Sequence, residues 1–144
     1  MRSRSSSNAL HGLLALFTVT AAGLLSGCGG AKMTIKVDAA ADTNGGQPLY
    51  MVVRQAEEAK YVTEDYGVIA AKVFATPADP DMIQREVIYP GDSKKVSFEK
   101  PKDKPVAIYF LFTKPGERWK TARPQPLPSS VDIELSGNTI KNDS

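Results

Sequence analysis

One histidine, His11, and one cysteine, Cys28, are all that 144 residues offer toward nucleophilic or zinc chemistry. A Ser–His or Cys–His centre needs an imidazole beside its nucleophile, and a zinc site needs several imidazoles or thiolates. His11 precedes an apolar run of the kind removed with a secretory signal, so the chain from Cys28 onward holds no histidine. Acid–base work would then fall to carboxylate pairs. Glu57/Glu58 and Glu64/Asp65 are neighbours on a predicted helix, where adjacent positions do not face each other. Asp79 and Asp81 flank Pro80 in a turn, and no run of oxygen ligands has the spacing of a calcium loop. These carboxylates read as solvated surface and helix-end charge. Lys94-Lys95 and the group Lys100, Lys102 and Lys104 read as edge-strand and turn solubilisers ahead of a binding site. Tyr109, Phe110 and Phe112 lie in the most apolar segment and read as core. Trp119 follows a turn and suits either a sugar-stacking platform or a cap on one end of the core; no second aromatic stands nearby at a useful spacing, which favours the cap. No enzymatic mechanism, cofactor or metal follows from this set.

Composition agrees with a small, non-catalytic domain. Hydrophobic residues make up 42% and charged residues 24%, which excludes a coiled coil, a collagen-like repeat and a wholly disordered chain. The formal charge of +2 comes from Arg2 and Arg4 in the leader; residues 28–144 hold 16 basic and 16 acidic side chains. Without a clustered basic field there is nothing to hold nucleic acid.

Residues 13–25, LLALFTVTAAGLL, form a thirteen-residue apolar run after a basic start. As a helix it would be roughly 20 Å long, short of a bilayer core of about 30 Å, so it reads as a secretory signal. Its end, Leu25-Ser26-Gly27-Cys28, resembles the bacterial lipobox. That resemblance implies a diacylglycerol on the Cys28 thiol, cleavage before Cys28, and acylation of the new amino group. The alternative is an ordinary signal peptide with an incidental cysteine. Several acyl chains at one residue make a lasting anchor. Gly29 stands where an Asp commonly retains lipoproteins at the inner membrane, so the resemblance implies the outer membrane and a domain facing the periplasm. Residues 28–32 form a tether that reaches at most about 18 Å.

The elements follow from period and punctuation. Residues 33–38 alternate as a half-buried strand, 39–48 are a polar loop with Asn-Gly and Gly-Gly steps, and 49–54 are a strand apolar on both faces. Across 56–74, Val62, Tyr66, Ile69 and Val73 lie on one helical stripe, with Thr63 as the N-cap and Glu64 and Asp65 in the first turn. Strands are read at 83–89, 95–99, 106–112, a short segment at Trp119, and 131–135; the run at 106–112 requires a cover layer on its outer face. Six to eight short strands between turn signals make a mainly β fold, a β-sandwich. The expected organisation is a signal peptide over 1–27, the tether over 28–32, a sandwich over 33–141 and a tail over 142–144.

Taken in order after the lipobox, several stretches carry a family resemblance: Asn44-Gly45-Gly46-Gln47-Pro48, Val52-Val53-Arg54-Gln55, Tyr89-Pro90-Gly91-Asp92, Trp119-Lys120, and Val131 through Asn138. Together they resemble the TssJ (SciN) lipoproteins of the bacterial type VI secretion system over about residues 33–141. Arg54 and Gln55 are adjacent where that family usually has a Tyr between them, and Tyr61 and Tyr66 stand where Phe is more usual. The resemblance implies a transthyretin-like two-sheet β-sandwich with one added helical segment, held to the outer membrane. It implies docking of the C-terminal periplasmic domain of the inner-membrane protein TssM, and through it the TssL/TssM complex. The contact loop would be Asp42, Thr43, Asn44, Gly45, Gly46 and Gln47; the competing reading is a solvated connection. A periplasm-facing ligand- or glycan-binding lipoprotein is the alternative function.

Overall fold

Met33, Ile35, Val37 and Ala39 are buried while the residues between them face outward, so β1 (Lys32–Ala39) packs one face only. The computed structural model describes residues 30–144. It continues with β2 (Leu49–Gln55), α1 (Glu58–Thr63), α2 (Tyr66–Lys72), β3 (Met82–Ile88), β4 (Ser93–Glu99), β5 (Val106–Leu111), β6 (Lys120–Arg123), β7 (Ser130–Ser136) and β8 (Thr139–Asp143). Two four-stranded sheets result, with orders β4-β1-β7-β8 and β3-β2-β5-β6. All pairings are antiparallel except β1 with β7, where Thr34 meets Ser130 and Ala39 meets Leu135. The mainly β sandwich read from the sequence is the fold.

The two sheets enclose one core between them. Ile35, Val37, Val131, Ile133 and Leu135 from the first sheet meet Met51, Val53, Ile108 and Phe110 from the second. The outer face of the second sheet, with Val52, Ala107 and Tyr109, is covered by Ile69 and Val73. This is the cover layer that the doubly apolar β5 demands. The sandwich stays closed on its open side by polar means: Glu86 of β3 and Lys94 of β4 form an ion pair at 2.9 Å. Lys95 stays exposed on the edge strand β4, as a solubilising edge residue does.

The helical segment departs from expectation. It is two helices, not one stripe, because Glu64 and Asp65 adopt extended backbone between them. Asp65 is the cap of α2, its carboxylate accepting the Gly67 N–H at 2.7 Å. Thr63 ends α1 and donates its hydroxyl back to Lys60 and Ala59 carbonyls. The break puts Val62 out of register with Ile69 and Val73, and it stands 71% exposed. At the C-terminus β8 runs through Asp143, into the segment read as a tail, and Asp143 pairs with Arg118 and Arg123.

Strand directions sort the loops into two ends. The start of β1, the β4–β5 loop and the β6–β7 segment lie together: Lys100 N–H donates to Ala31 O and Thr34 N–H to Ser129 O. The loop after β1, the β3–β4 turn, the β5–β6 loop and the β7–β8 turn lie at the opposite end. Eight residues of β1 separate the two, a span of about 26 Å.

Candidate functional site

The loop between β1 and β2 is held by its own buried residues. Thr43, Asn44, Gly45 and Gly46 make one tight turn in which Asn44, Gly45 and Gly46 all have positive φ, at 51°, 61° and 78°. Glycine tolerates that region and asparagine enters it more readily than most residues. The Asn44 side chain then acts as a clamp. Its Nδ2 donates to the Gln47 and Pro48 carbonyls, each at 3.1 Å, and its Oδ1 accepts the Thr113 N–H at 2.7 Å. The Asn44 N–H donates to Gly137 O, and the Thr43 hydroxyl to Leu135 O. Thr43 is wholly buried and Asn44 is 5% exposed.

The six loop residues therefore divide. Thr43 and Asn44 face inward and set the shape, while Asp42, Gly45, Gly46 and Gln47 face solvent. Asp42 accepts a hydrogen bond from Ser136. Two of the other stretches that carry the family resemblance reach this end: Gly91 N–H of the Tyr89–Asp92 turn donates to Ala39 O, and Asn138 O accepts the Gly116 N–H; Val52–Gln55 and Trp119–Lys120 lie elsewhere. Asn44, Gln47, Thr113 and Asn138 line a shallow depression of about 330 Å³. Gly45 and Lys114 complete its lining.

A second cluster was legible in the sequence only as an arginine within an apolar strand. Arg54 of β2 is 2% exposed. Its Nε donates to Asp79 at 2.5 Å and its Nη1 to Glu64 at 2.8 Å, with Asp81 at 3.9 Å. Tyr109 donates its hydroxyl to the other oxygen of Glu64, also at 2.5 Å, and Lys72 stands 3.7 Å away. Glu64 and Asp79 are thus not solvated charges. Arg54 is a cation surrounded by carboxylates that would otherwise have no reason to leave water, and they follow it into the interior. Burial works against both acids, yet the Arg54 bonds, joined by Tyr109 at Glu64 and by the Asp81 N–H at Asp79, hold them below the ordinary carboxylate range. Burial first, then the bond to Glu64, pushes the Tyr109 phenol well up. These groups are locked in one charge state around neutral pH, which serves packing and disfavours proton transfer. The cluster fastens the α1–α2 break and the turn at 75–81 to β2. Glu57 and Glu58 stay exposed, Glu57 paired with Lys60.

Trp119 is a cap. It packs on both cores, edge-on to Tyr66 at 5.0 Å and tilted on Tyr109 at 5.8 Å, with the Lys120 ammonium over its ring at 5.2 Å. Lys120 donates to the Tyr61 and Glu64 carbonyls, closing the end of α1. Among the described residues no group of three or more His, Cys, Asp or Glu could hold a metal, and no helix is long and apolar enough to cross a membrane. Leu25, Ser26, Gly27 and Cys28, like His11, lie outside the described residues.

The architecture thus defines a class: an eight-stranded sandwich with a helical cover on one sheet and a turn-rich end built around a clamped loop. Residues 50–135 match the family model of the IglE N-terminal domain, and the chain belongs to that family. No curated protein matches it in sequence. Among solved structures it is similar to the type VI secretion lipoprotein TssJ1 from Pseudomonas aeruginosa, at 15% identity and a TM-score of 0.61 over 80% of this chain and 95% of that one. It is similar also to Lip from Serratia marcescens, a membrane-bound component of the type VI secretion system, at 13% identity and 0.64 over 79% and 97%. A chain of a type VI membrane complex matches at 18% identity and 0.52 over 78% and 97%. At these identities the likeness is one of fold, and the fold is TssJ-like.

Proposed function

We propose that this protein is a non-catalytic anchor and docking subunit of a type VI secretion membrane complex. Acyl chains on Cys28 hold one end of the sandwich at the periplasmic face of the outer membrane. The other end receives the periplasmic domain of a TssM-type inner-membrane protein. Support comes from family membership, from a fold shared with secretion-system lipoproteins, and above all from the separation of the two ends along β1. A tether entering at Lys32 and a clamped loop beyond Ala39 sit on opposite sides of a rigid strand about 26 Å long. Strain applied between two membranes would then pass through β1 and its paired neighbours β4 and β7.

Within the loop, Asp42, Gly45, Gly46 and Gln47 would touch the partner, while Thr43 and Asn44 hold their positions. Gly45 and Gly46 keep the loop's outer side free of side chains, so a partner backbone can approach closely. The test is a photoreactive amino acid placed at Gln47 or at Lys95 in cells making the whole secretion complex. The reading expects a cross-link to TssM from residue 47 and none from residue 95. Cross-linking from residue 95 alone would move the docking surface to the β4 edge.

A further inference from the structure

The end of the domain where the chain enters is a rigid plate. The Gln125 side-chain amide donates to both Pro101 O and Lys104 O at 3.0 Å, tying the β4–β5 loop to the proline-rich segment before β7. The Lys100 ammonium donates to Leu127 O at 2.8 Å, and its N–H to Ala31 O beside the tether. Lys32, Lys60, Lys100, Lys102, Lys104 and Arg123 stand at this end with Glu57, Glu58, Asp81, Glu99 and Asp103, a net charge of +1. Lys104 is shared with Asp81, whereas Lys32 and Lys102 are exposed and make no ion pair among the described residues. The four loops at the far end hold Asp42, Asp92 and Glu117 against Lys114 and Arg118, a net charge of −1. The two ends therefore differ in sign.

This inference rests on the reading of Cys28 as acylated. A tether of at most about 18 Å keeps the plate near the lipid surface whatever else happens. Attraction to anionic headgroups, felt within about 8 Å at physiological ionic strength, then acts on the unpaired lysines of the plate, which the tether holds at the lipid, more than on the loops a strand's length away. We propose that Lys32, Lys100 and Lys102 seat this plate on anionic phospholipid headgroups and so hold the sandwich upright, with the docking loops facing away from the membrane. The lipid would be an orienting partner, and the acyl chains alone would leave the domain free to tilt.

The experiment uses the mature acylated protein in vesicles whose headgroups carry a nitroxide quencher. With Cys28 acylated, a cysteine introduced at exposed Ser129 in the plate, or at Glu117 in the far β5–β6 loop, is the one reactive thiol for a fluorophore. Vesicles of phosphatidylethanolamine with phosphatidylglycerol are compared with vesicles of phosphatidylcholine alone. The label at 129 should be strongly quenched in the anionic vesicles and several-fold less in the neutral ones, with the label at 117 bright in both. Lys32→Glu with Lys102→Glu should erase the preference, each lost charge counting for about fivefold, while the unfolding midpoint stays put. Equal quenching at 129 in the two lipids, or indifference to the double reversal, would overturn the orientation and leave the anchor intact. Failure of the protein to float with either vesicle would overturn the anchor and the orientation together.

Discussion

Arg54 gives the most demanding test of how the helical cover is held. Replacing it with Met keeps much of the aliphatic stem and removes the guanidinium. Glu64 and Asp79, whose side chains are 12% and 6% exposed, would then be buried acids without their cation. Breaking a buried pair by removing one partner costs about 3–5 kcal/mol. Glu64 would keep its bond from Tyr109 and Lys72 at 3.7 Å, and Asp79 its bond from the Asp81 N–H, so the low end, about 3 kcal/mol, is expected. The pH dependence carries the sharper signature. In the native protein both acids titrate below their unfolded values of 4.5 and 3.8, so their contribution is full above those values and is lost as pH falls through the folded ones. Without Arg54 burial dominates, the folded values rise, and the acids destabilise most at neutral pH. Urea unfolding followed by the fluorescence of Trp119, which packs against Tyr109, should give a gap between native and Arg54→Met of about 3 kcal/mol at pH 7 that narrows toward pH 4. A gap under about 1 kcal/mol at pH 7, or one that fails to narrow in acid, would refute a role for this ion pair in fastening the cover.

Other consequences are simpler. Asn44→Ala removes three part-buried hydrogen bonds and leaves alanine, which tolerates φ 51° less well than asparagine, and should lower stability by about 2–4 kcal/mol in urea unfolding; an unchanged midpoint would show that the clamp is not needed for the fold. Gln47→Arg touches no internal bond made by its side chain, and should weaken partner binding tenfold or more without moving the unfolding midpoint, as checked by titration beside a melt. Cys28→Ser should release the protein from the membrane fraction and stop secretion; secretion at the native level would remove the anchoring role.

Much of the fold was legible because burial on one face imposes a period of two. The strands at 33–38 and 131–135 alternate cleanly, and both are half-buried members of one sheet. What alternation cannot carry is order: the parallel pairing of β1 with β7, across ninety-odd residues of sequence, depends on which apolar faces meet. The helical stripe failed at Val62 because the cap chemistry of Asp65 and the pull of Arg54 on Glu64 outweigh continuous periodicity. Loop polarity hid a different fact. Asn44 reads as a surface residue, and its inward turn shows only once the carbonyls of Gln47 and Pro48 and the Thr113 N–H surround it. Arg54 within Val52-Val53-Arg54 was the available signal for the buried cluster, since an arginine in a doubly apolar strand demands carboxylates, and the next segment supplies Glu64 and Asp79.

The central claim is that the far end of this sandwich docks a partner reaching across the periplasm. The direct measurement is a calorimetric titration of the mature protein, in detergent, with the periplasmic domain of TssM from the same genome, for the native chain and for Gln47→Arg. Saturable binding that Gln47→Arg weakens, with both proteins equally folded, is the predicted result. Absence of binding between two folded partners would contradict the docking role and turn attention to a ligand- or glycan-binding lipoprotein.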